Sequence, residues 1–194
     1  MKKMNGTLLT MGALILGATA CGPQESTSKP EAFADLQGTW STACYQKSKT
    51  VLKYSGTALT GTYTVYGDDT CGFALSVNTW EGTLAGDGTA AVQGAHKLDL
   101  TFNSYRSKPL VADAATYNNQ NKYCGFSDWA ANTEKDVYGR DCYGYSIPAS
   151  GRSLDLYRVE GNTLTFGKDS KITASPVEAE RPTELDPQRS FTRQ

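Results

Sequence analysis

Residues 58–66 read Ala-Leu-Thr-Gly-Thr-Tyr-Thr-Val-Tyr, and this stretch is the clearest indication of the fold class. From Leu59 to Val65 every second residue is apolar or small, and a threonine stands between each pair. Alternation with a period of two is typical of a β-strand that buries one face. Thr, Tyr and Val also pack well on a pleated surface. The stretch therefore predicts a strand rather than a helix.

The same alternation recurs further along the chain. Leu98, Leu100 and Phe102 alternate with polar residues, and so do Leu164 and Phe166. Turn-forming Gly, Asn and Asp residues separate such runs, so we predict eight strands: 38–46, 49–56, 58–66, 73–84, 89–95, 97–106, 153–160 and 163–168. Short turns favour antiparallel neighbours, and closure removes exposed edges. We predict an all-β chain with an eight-stranded up-and-down barrel; a two-sheet sandwich is the alternative.

The apolar positions of this alternation are predicted to line the barrel interior. They are Tyr63, Val65, Leu75, Val77, Leu98, Leu100 and Phe102. The run through Leu75 and Val77 changes phase before Trp80, which indicates a bulge or bend there. An eight-stranded barrel holds its own side chains or one small ligand. The predicted ligand-binding residues are Trp40, Tyr63, Val65, Leu75, Trp80, Leu98, Leu100, Phe102, Trp129 and Tyr138.

Two stretches interrupt or follow the strand pattern. Residues 107–152 form an insertion in which we predict short helices beginning near Pro109 and at Ser127, a good N-cap. A long loop inside a compact domain is usually functional or has structure of its own. The proline-containing stretch 174–194 is predicted to be an extended tail, and Leu185 and Phe191 are candidates to hold it across the barrel.

Five cysteines bear on the compartment. If Cys21 is modified, an even number remains, which favours two disulfides in an oxidising compartment with three possible pairings. We favour Cys44–Cys71 and Cys124–Cys142, because each pair brackets a local segment. Each bond would stabilise the fold by about 3–4 kcal/mol. Four buried free thiols are the alternative, and the spacing lacks the Cys-x-x-Cys of zinc sites.

The N-terminus has the parts of a secretory signal peptide. Lys2 and Lys3 precede a mostly apolar stretch, residues 8–20, which is shorter than the roughly 20 residues a membrane span needs. Residues 18–21, Ala-Thr-Ala-Cys, resemble the lipobox of bacterial lipoproteins. The resemblance implies cleavage before Cys21 and its acylation with a palmitate-type chain. An ordinary cleaved signal is the alternative.

This pattern divides the chain into three parts. Residues 1–20 are the predicted signal, 21–35 a lipidated flexible tether, and 36–194 the barrel domain. Gly22 is not the Asp that retains lipoproteins at the inner membrane, so the resemblance implies a cell-envelope protein of the outer membrane. When the predicted signal with Lys2 and Lys3 is left out, the chain has 17 basic and 20 acidic residues, which gives a net charge of −3. Such weak acidity argues against nucleic-acid binding.

Gly38-Thr39-Trp40 at the first strand resembles the Gly-x-Trp of the lipocalin family. In that family the Trp plugs the closed end of the barrel against a late basic residue, which implies Arg158 or Arg181 here. The spacing from Trp40 to Cys71 is similar to lipocalin-like domains of extracellular Wnt antagonists, and the whole resembles small bacterial lipoproteins of unassigned function. The chain departs from lipocalins because its insertion precedes the seventh strand.

Aromatic residues are concentrated in the insertion, and they suggest a second functional hypothesis. They are Tyr117, Tyr123, Phe126, Trp129, Tyr138, Tyr143 and Tyr145. Tyr and Trp are enriched at binding surfaces. The first hypothesis is a non-catalytic module that binds a small hydrophobic ligand or lipid. The second is an envelope interaction protein whose aromatic insertion contacts a protein or glycan.

Catalysis has little support in the sequence. A Ser-His-Asp triad would need His96, the single histidine, which lies at the start of a predicted strand. The sequence also lacks the Gly-x-Ser-x-Gly elbow that carries the serine in many hydrolases. Most carboxylates fall in turns, where Asp bonds the local backbone. Cofactor signatures are missing from the sequence, so we predict no cofactor and no metal. A calcium loop and a paired-carboxylate hydrolase remain as minor alternatives.

Overall fold

The computed structural model describes residues 33–86, 88–143 and 147–194. The predicted signal peptide, the acylation site Cys21, most of the tether, and Tyr145 lie outside the described residues. The strands are β1 Gly38–Ser41, β2 Ser48–Ser55, β3 Ala58–Tyr66, β4 Ala74–Ala85, β5 His96–Pro109, β6 Lys135–Asp136, β7 Arg152–Glu160, β8 Thr163–Gly167 and β9 Leu185–Arg193. The helices are α1 Ala112–Gln120 and two 3₁₀ turns, Tyr123–Gly125 and Glu178–Glu180.

The strands close into one antiparallel barrel. Around the barrel the order is β4-β3-β2-β1-β9-β8-β7-β5, and the β4–β5 pairing completes the ring. The two-residue strand β6 pairs with Arg106 and Ser107, near the C-terminal end of β5. The predicted eight-stranded up-and-down barrel is therefore confirmed, and closure excludes the sandwich alternative.

Two predicted elements are wrong. Residues 89–95 form no strand beyond the single bridge from Thr89 to His96, because Gly94 adopts a φ of 71° and turns the chain into β5. The predicted C-terminal tail contains β9, which pairs with both β1 and β8 and closes the barrel. The eighth strand of the ring thus comes from the tail.

The bulge in β4 lies earlier than the sequence indicated. Val65 pairs with Ser76 and Tyr66 with Ala74, so Leu75 is the additional residue. From there Ser76 and Asn78 face the interior beside Val65 and Tyr63. Val77, predicted to line the interior, alternates to the outer face; that prediction was wrong because the phase changes at Leu75.

Trp40 fills the closed end of the barrel. Its side chain is fully buried, and its Nε1 donates to the Leu36 carbonyl at 2.7 Å. The guanidinium of Arg193 lies 4.0 Å from the Trp40 ring centroid and donates to the carbonyls of Gln37 and Asp35 at 2.5 and 2.7 Å. The basic residue against this Trp is thus Arg193, and the prediction of Arg158 or Arg181 was wrong.

The insertion covers the other, open end. The first helix begins at Ala112, since Pro109 still belongs to β5. No helix begins at Ser127, because the backbone of Trp129 is paired with a side chain instead. Its N–H donates to Asn119 Oδ1 at 2.6 Å, and its carbonyl accepts from Asn119 Nδ2 at 2.9 Å.

Both predicted disulfides are present. Cys44–Cys71 joins the β1–β2 loop to the β3–β4 loop, with Cα atoms 5.9 Å apart. Cys124–Cys142 closes the insertion, with Cα atoms 4.2 Å apart. Both bonds therefore lie at the open end of the barrel, where long connections would otherwise be least constrained.

A strap formed by residues 173–182 crosses the outside of β5 and β7. Arg181 holds it in place by donating to the carbonyls of Leu98 and Asp155 at 3.3 and 2.8 Å. The same guanidinium forms ion pairs with Asp99 at 2.7 Å and Glu178 at 2.9 Å. Arg181 thus attaches the strap to the outer surface and does not reach the barrel end where Trp40 lies.

Candidate functional site

Two adjoining cavities open inside the barrel toward the insertion. The outer cavity encloses about 850 Å³ between the open end of the barrel and helix α1. The inner cavity encloses about 340 Å³ and lies deeper, against β7, β8 and β9. Thr50 and Trp80 line both cavities. Each cavity has a volume within the range of about 300–1,000 Å³ that small-molecule pockets have.

The outer cavity has a wall of strands and a wall of insertion residues. The strand wall consists of Thr50, Tyr63, Val65, Leu75, Ser76, Asn78, Trp80, Tyr105 and Ser107. The insertion wall consists of Asp113, Ala114, Tyr117, Asn118, Tyr123 and Tyr143. Six of these side chains are aromatic, three are aliphatic and six are polar, so the cavity combines an apolar surface rich in tyrosine with several polar groups. This lining suits a largely apolar molecule that also makes a few hydrogen bonds.

The insertion wall is held by its own aromatic packing. Tyr123 lies 5.9 Å from Trp129 and 5.9 Å from Tyr143, measured between ring centroids. The indole N–H of Trp129 donates to the Tyr123 carbonyl at 3.1 Å, and the Tyr143 hydroxyl donates to the Asn121 carbonyl at 2.6 Å. Tyr123 and Tyr143 are therefore positioned before any ligand arrives.

The rim beside the strand wall is equally fixed. Asp68 accepts backbone hydrogen bonds from Thr70, Gly72 and Phe73 at 2.9, 3.0 and 2.7 Å. The hydrogen bond from the Thr70 hydroxyl, together with these backbone bonds, lowers the pKa of Asp68 to about 2. The neighbouring Cys71 is tied to Cys44 across the loops. The opening is thus bordered by a structured loop.

A buried ion pair stands in the wall of the inner cavity. Arg189 Nη2 donates to Asp155 Oδ2 at 3.1 Å, and the Asp155 side chain is 8% exposed. Asp155 Oδ1 accepts from the backbone of Leu156 and Gly167 at 2.8 and 3.0 Å. Burial raises the pKa of Asp155 despite the opposing effect of Arg189. Burial likewise raises the pKa of Tyr54, which lines the same cavity.

The predicted ligand-binding residues fall into three groups. Tyr63, Val65, Leu75 and Trp80 line the outer cavity, and Trp80, Leu100 and Phe102 line the inner one. Trp40 and Leu98 belong to the core at the closed end. Trp129 is buried within the insertion, and Tyr138 donates from its hydroxyl to the Phe102 carbonyl at 2.6 Å, so both pack the insertion onto the barrel.

Several lining residues were not predicted as such. Tyr105 reaches the interior because of a second bulge, on β5: Glu81 pairs with Ser104 and Gly82 with Phe102, so Asn103 is the additional residue. Asp155 and Arg189 are not among the predicted ligand-binding residues. Asp155 lies in the predicted strand 153–160, and Arg189 lies in the stretch 174–194 that was predicted to be a tail. Alternation would have placed Asp155 on the outer face, because Leu154 and Leu156 are the apolar phase of this strand in the sequence; both are buried on the face opposite Asp155.

Among the described residues, few observations support a metal site or a catalytic site. No group of three or more His, Cys, Asp or Glu side chains with metal-binding geometry occurs among the described residues. His96 stacks on Tyr157 with centroids 5.2 Å apart, in the core region of β5 and β7. The longest described helix has nine residues, and none of the described helices combines the length and apolar character of a membrane span.

No protein-family model and no curated protein matches the chain.

Proposed function

We propose that this protein is a non-catalytic binding module that holds a small hydrophobic molecule or lipid in its outer cavity. The observation that supports the proposal is the outer cavity itself, about 850 Å³, in which nine of the fifteen lining side chains are aromatic or aliphatic. Pockets for small molecules commonly enclose about 300–1,000 Å³ and bury most of the ligand. Apolar surface removed from water contributes roughly 25 cal/mol per Å², so a ligand of modest size would bind without any charged contact.

The walls support this proposal because they are already organised. Tyr123 and Tyr143 are held by ring packing and hydrogen bonds, and the rim is held by Asp68 and a disulfide. Preorganised walls lower the entropic cost of binding, since fewer side chains lose freedom when the ligand enters.

The proposal includes an acyl anchor at Cys21 and a place at the outer membrane of the cell envelope. Phe33, the first described residue, is buried at the closed end and lies 6.4 Å from Tyr157 between ring centroids. A tether from Cys21 would therefore meet the barrel at the end opposite the outer cavity. This arrangement would leave the opening free for a ligand.

The test is binding of an apolar fluorescent probe, N-phenyl-1-naphthylamine, to the purified protein. We expect one saturable site. Ala114 lines the outer cavity, so Ala114→Trp should fill part of it and weaken probe binding at least about tenfold. Ala112 is exposed on the same helix, and Ala112→Trp is the matched control. Equal binding by both variants, or no binding by the wild type, would overturn the proposal.

A second candidate function is contact with an envelope protein or glycan. Tyr117 and Tyr143 are exposed at the insertion by 62% and 63%, and Tyr45 and Phe73 are exposed on neighbouring loops at the same end. Exposed aromatic residues that form one contiguous patch mark interaction surfaces. Tyr45 and Phe73 do not line the outer cavity, so they separate the two functions.

The variant Tyr45→Ser with Phe73→Ser tests the second function. If a partner binds this surface, capture of that partner from envelope extract should be lost while probe binding is kept. If capture is unchanged, this surface is not the contact. Tyr117 and Tyr143 are unsuitable for the same test because they also line the cavity.

A further inference from the structure

We propose that the inner cavity receives the polar end of the ligand and prefers an uncharged oxygen acceptor to a carboxylate. The inference deepens the proposed function and rests on it. It starts from the ion pair between Arg189 and Asp155, which lies in the wall of the inner cavity. A ligand with an apolar body in the outer cavity would extend past Thr50 and Trp80, which line both.

Asp155 is already saturated by the protein. Its Oδ1 accepts from the backbone N–H groups of Leu156 and Gly167, and its Oδ2 accepts from Arg189. With 8% of its side chain exposed, it presents almost no surface to a ligand. Asp155 therefore acts by holding and neutralising Arg189.

Arg189 keeps donors for a ligand. A guanidinium has five N–H groups. Among the described residues, Arg189 uses one Nη1 bond to the Gly167 carbonyl and one Nη2 bond to Asp155. Its side chain is 38% exposed, and its guanidinium carbon lies 5.5 Å from the Phe166 ring centroid. The group is thus oriented by its partners while the remaining N–H groups are free to bind an acceptor.

The charge balance sets the preference. The charges of Asp155 and Arg189 cancel each other. Arg181, whose Nη1 donates to the Asp155 carbonyl, is paired with Asp99 and Glu178 outside the barrel. Tyr54, which also lines the inner cavity, contributes a neutral hydroxyl group because burial raises its pKa. A ligand carboxylate would add an uncompensated negative charge next to the buried Asp155, which is costly. A hydroxyl, ester or amide oxygen accepts the same hydrogen bonds without that cost.

The experiment is displacement of N-phenyl-1-naphthylamine by dodecan-1-ol and by dodecanoate at about pH 8, where the acid is ionised. The wild type should bind the alcohol more tightly. Asp155→Asn leaves the charge of Arg189 uncompensated, so dodecanoate affinity should rise at least about tenfold and alcohol affinity should change little. Tighter binding of dodecanoate by the wild type, or no rise in Asp155→Asn, would overturn the inference.

A second variant covers the case in which Asp155→Asn fails to fold. Asp155→Asn with Arg189→Gln removes both charges, and it should weaken alcohol binding about tenfold while dodecanoate stays weak. Unchanged alcohol binding would overturn the inference. The proposed function fails separately: in that case the wild type binds neither the probe nor the two lipids, or Ala114→Trp binds them as the wild type does.

Discussion

The indole of Trp80 lies against the backbone of Gly61, its partner across β3 and β4. A Cβ added to Gly61 would come within 1.9 Å of Trp80 Cε2, a distance that real contacts do not allow. The small residue therefore makes room for the indole inside the barrel. Because Trp80 lines both cavities, Gly61 indirectly shapes the boundary between them.

Gly61→Ala should force Trp80 out of its position. We expect a loss of about 1–3 kcal/mol in the free energy of unfolding, because overpacking displaces a large side chain. Tryptophan fluorescence should shift, and probe affinity should change with it. Gly88→Ala is the matched control, since its nearest neighbour would be Lys97 Cδ at 3.7 Å. Urea unfolding indistinguishable from wild type in Gly61→Ala would contradict the packing argument.

Arg193→Ala should destabilise the barrel by about 2–3 kcal/mol, because it removes a cation–π contact with Trp40 and two hydrogen bonds to partly buried carbonyls. Arg158→Ala is the control, since Arg158 forms a surface ion pair with Glu160 at 3.2 Å and should cost at most about 1 kcal/mol. Urea denaturation at equilibrium measures both. Equal losses would show that Arg193 has no special part in closing the barrel.

Removing Cys44–Cys71 by serine substitution of both residues should lower the free energy of unfolding by about 3–4 kcal/mol. The bond closes a loop with a sequence separation of 27 and restricts the unfolded chain. Removal of Cys124–Cys142, with a separation of 18, should cost a similar amount. Peptide mapping of the unreduced protein checks the pairing directly, and any crossed pair between the two sets would refute it.

Glu178 makes stability depend on pH in the acid range. Hydrogen bonds from Arg181 and Lys97 lower the pKa of Glu178 from 4.5 to about 2. A lowered pKa in the folded state contributes stability above the unfolded value, and that contribution is lost as the pH falls toward 2. The urea midpoint of the wild type should therefore exceed that of Glu178→Gln near pH 6, and the two should converge near pH 2. A gap that persists at pH 2 would contradict the assignment.

The residue pattern was sufficient for the features that depend on neighbours in the chain. Period-two alternation predicts strands wherever one face is buried, and short turns join most of them into a meander. Each cysteine pair brackets a local segment, which is why Cys44–Cys71 and Cys124–Cys142 were predictable. The prediction of a helix at Ser127 was wrong, because the local N-cap signal was outweighed by the pairing of Trp129 with Asn119.

The candidate site was only half predictable. Tyr63 and Val65 follow from alternation, and Leu75 was assigned correctly to the cavity although the phase of Val77 was not. Tyr105 depends on a bulge that no local signal marks, because a bulge reflects how two strands fit together. Helix α1 supplies lining residues such as Tyr117 only after the insertion has packed over the open end.

Residue alternation predicted the all-β fold, since side-chain direction along a strand is a local property, and the number and spacing of the cysteines predicted its disulfides. The closing of the ring by β9, the contact of Arg193 with Trp40 and the placement of Arg189 beside Asp155 depended on three-dimensional packing. These residues lie far apart in the chain, so long-range strand pairing has to bring them together. The proline-containing tail carried no periodic signal of that pairing, and the two cavities exist only because the ring closes.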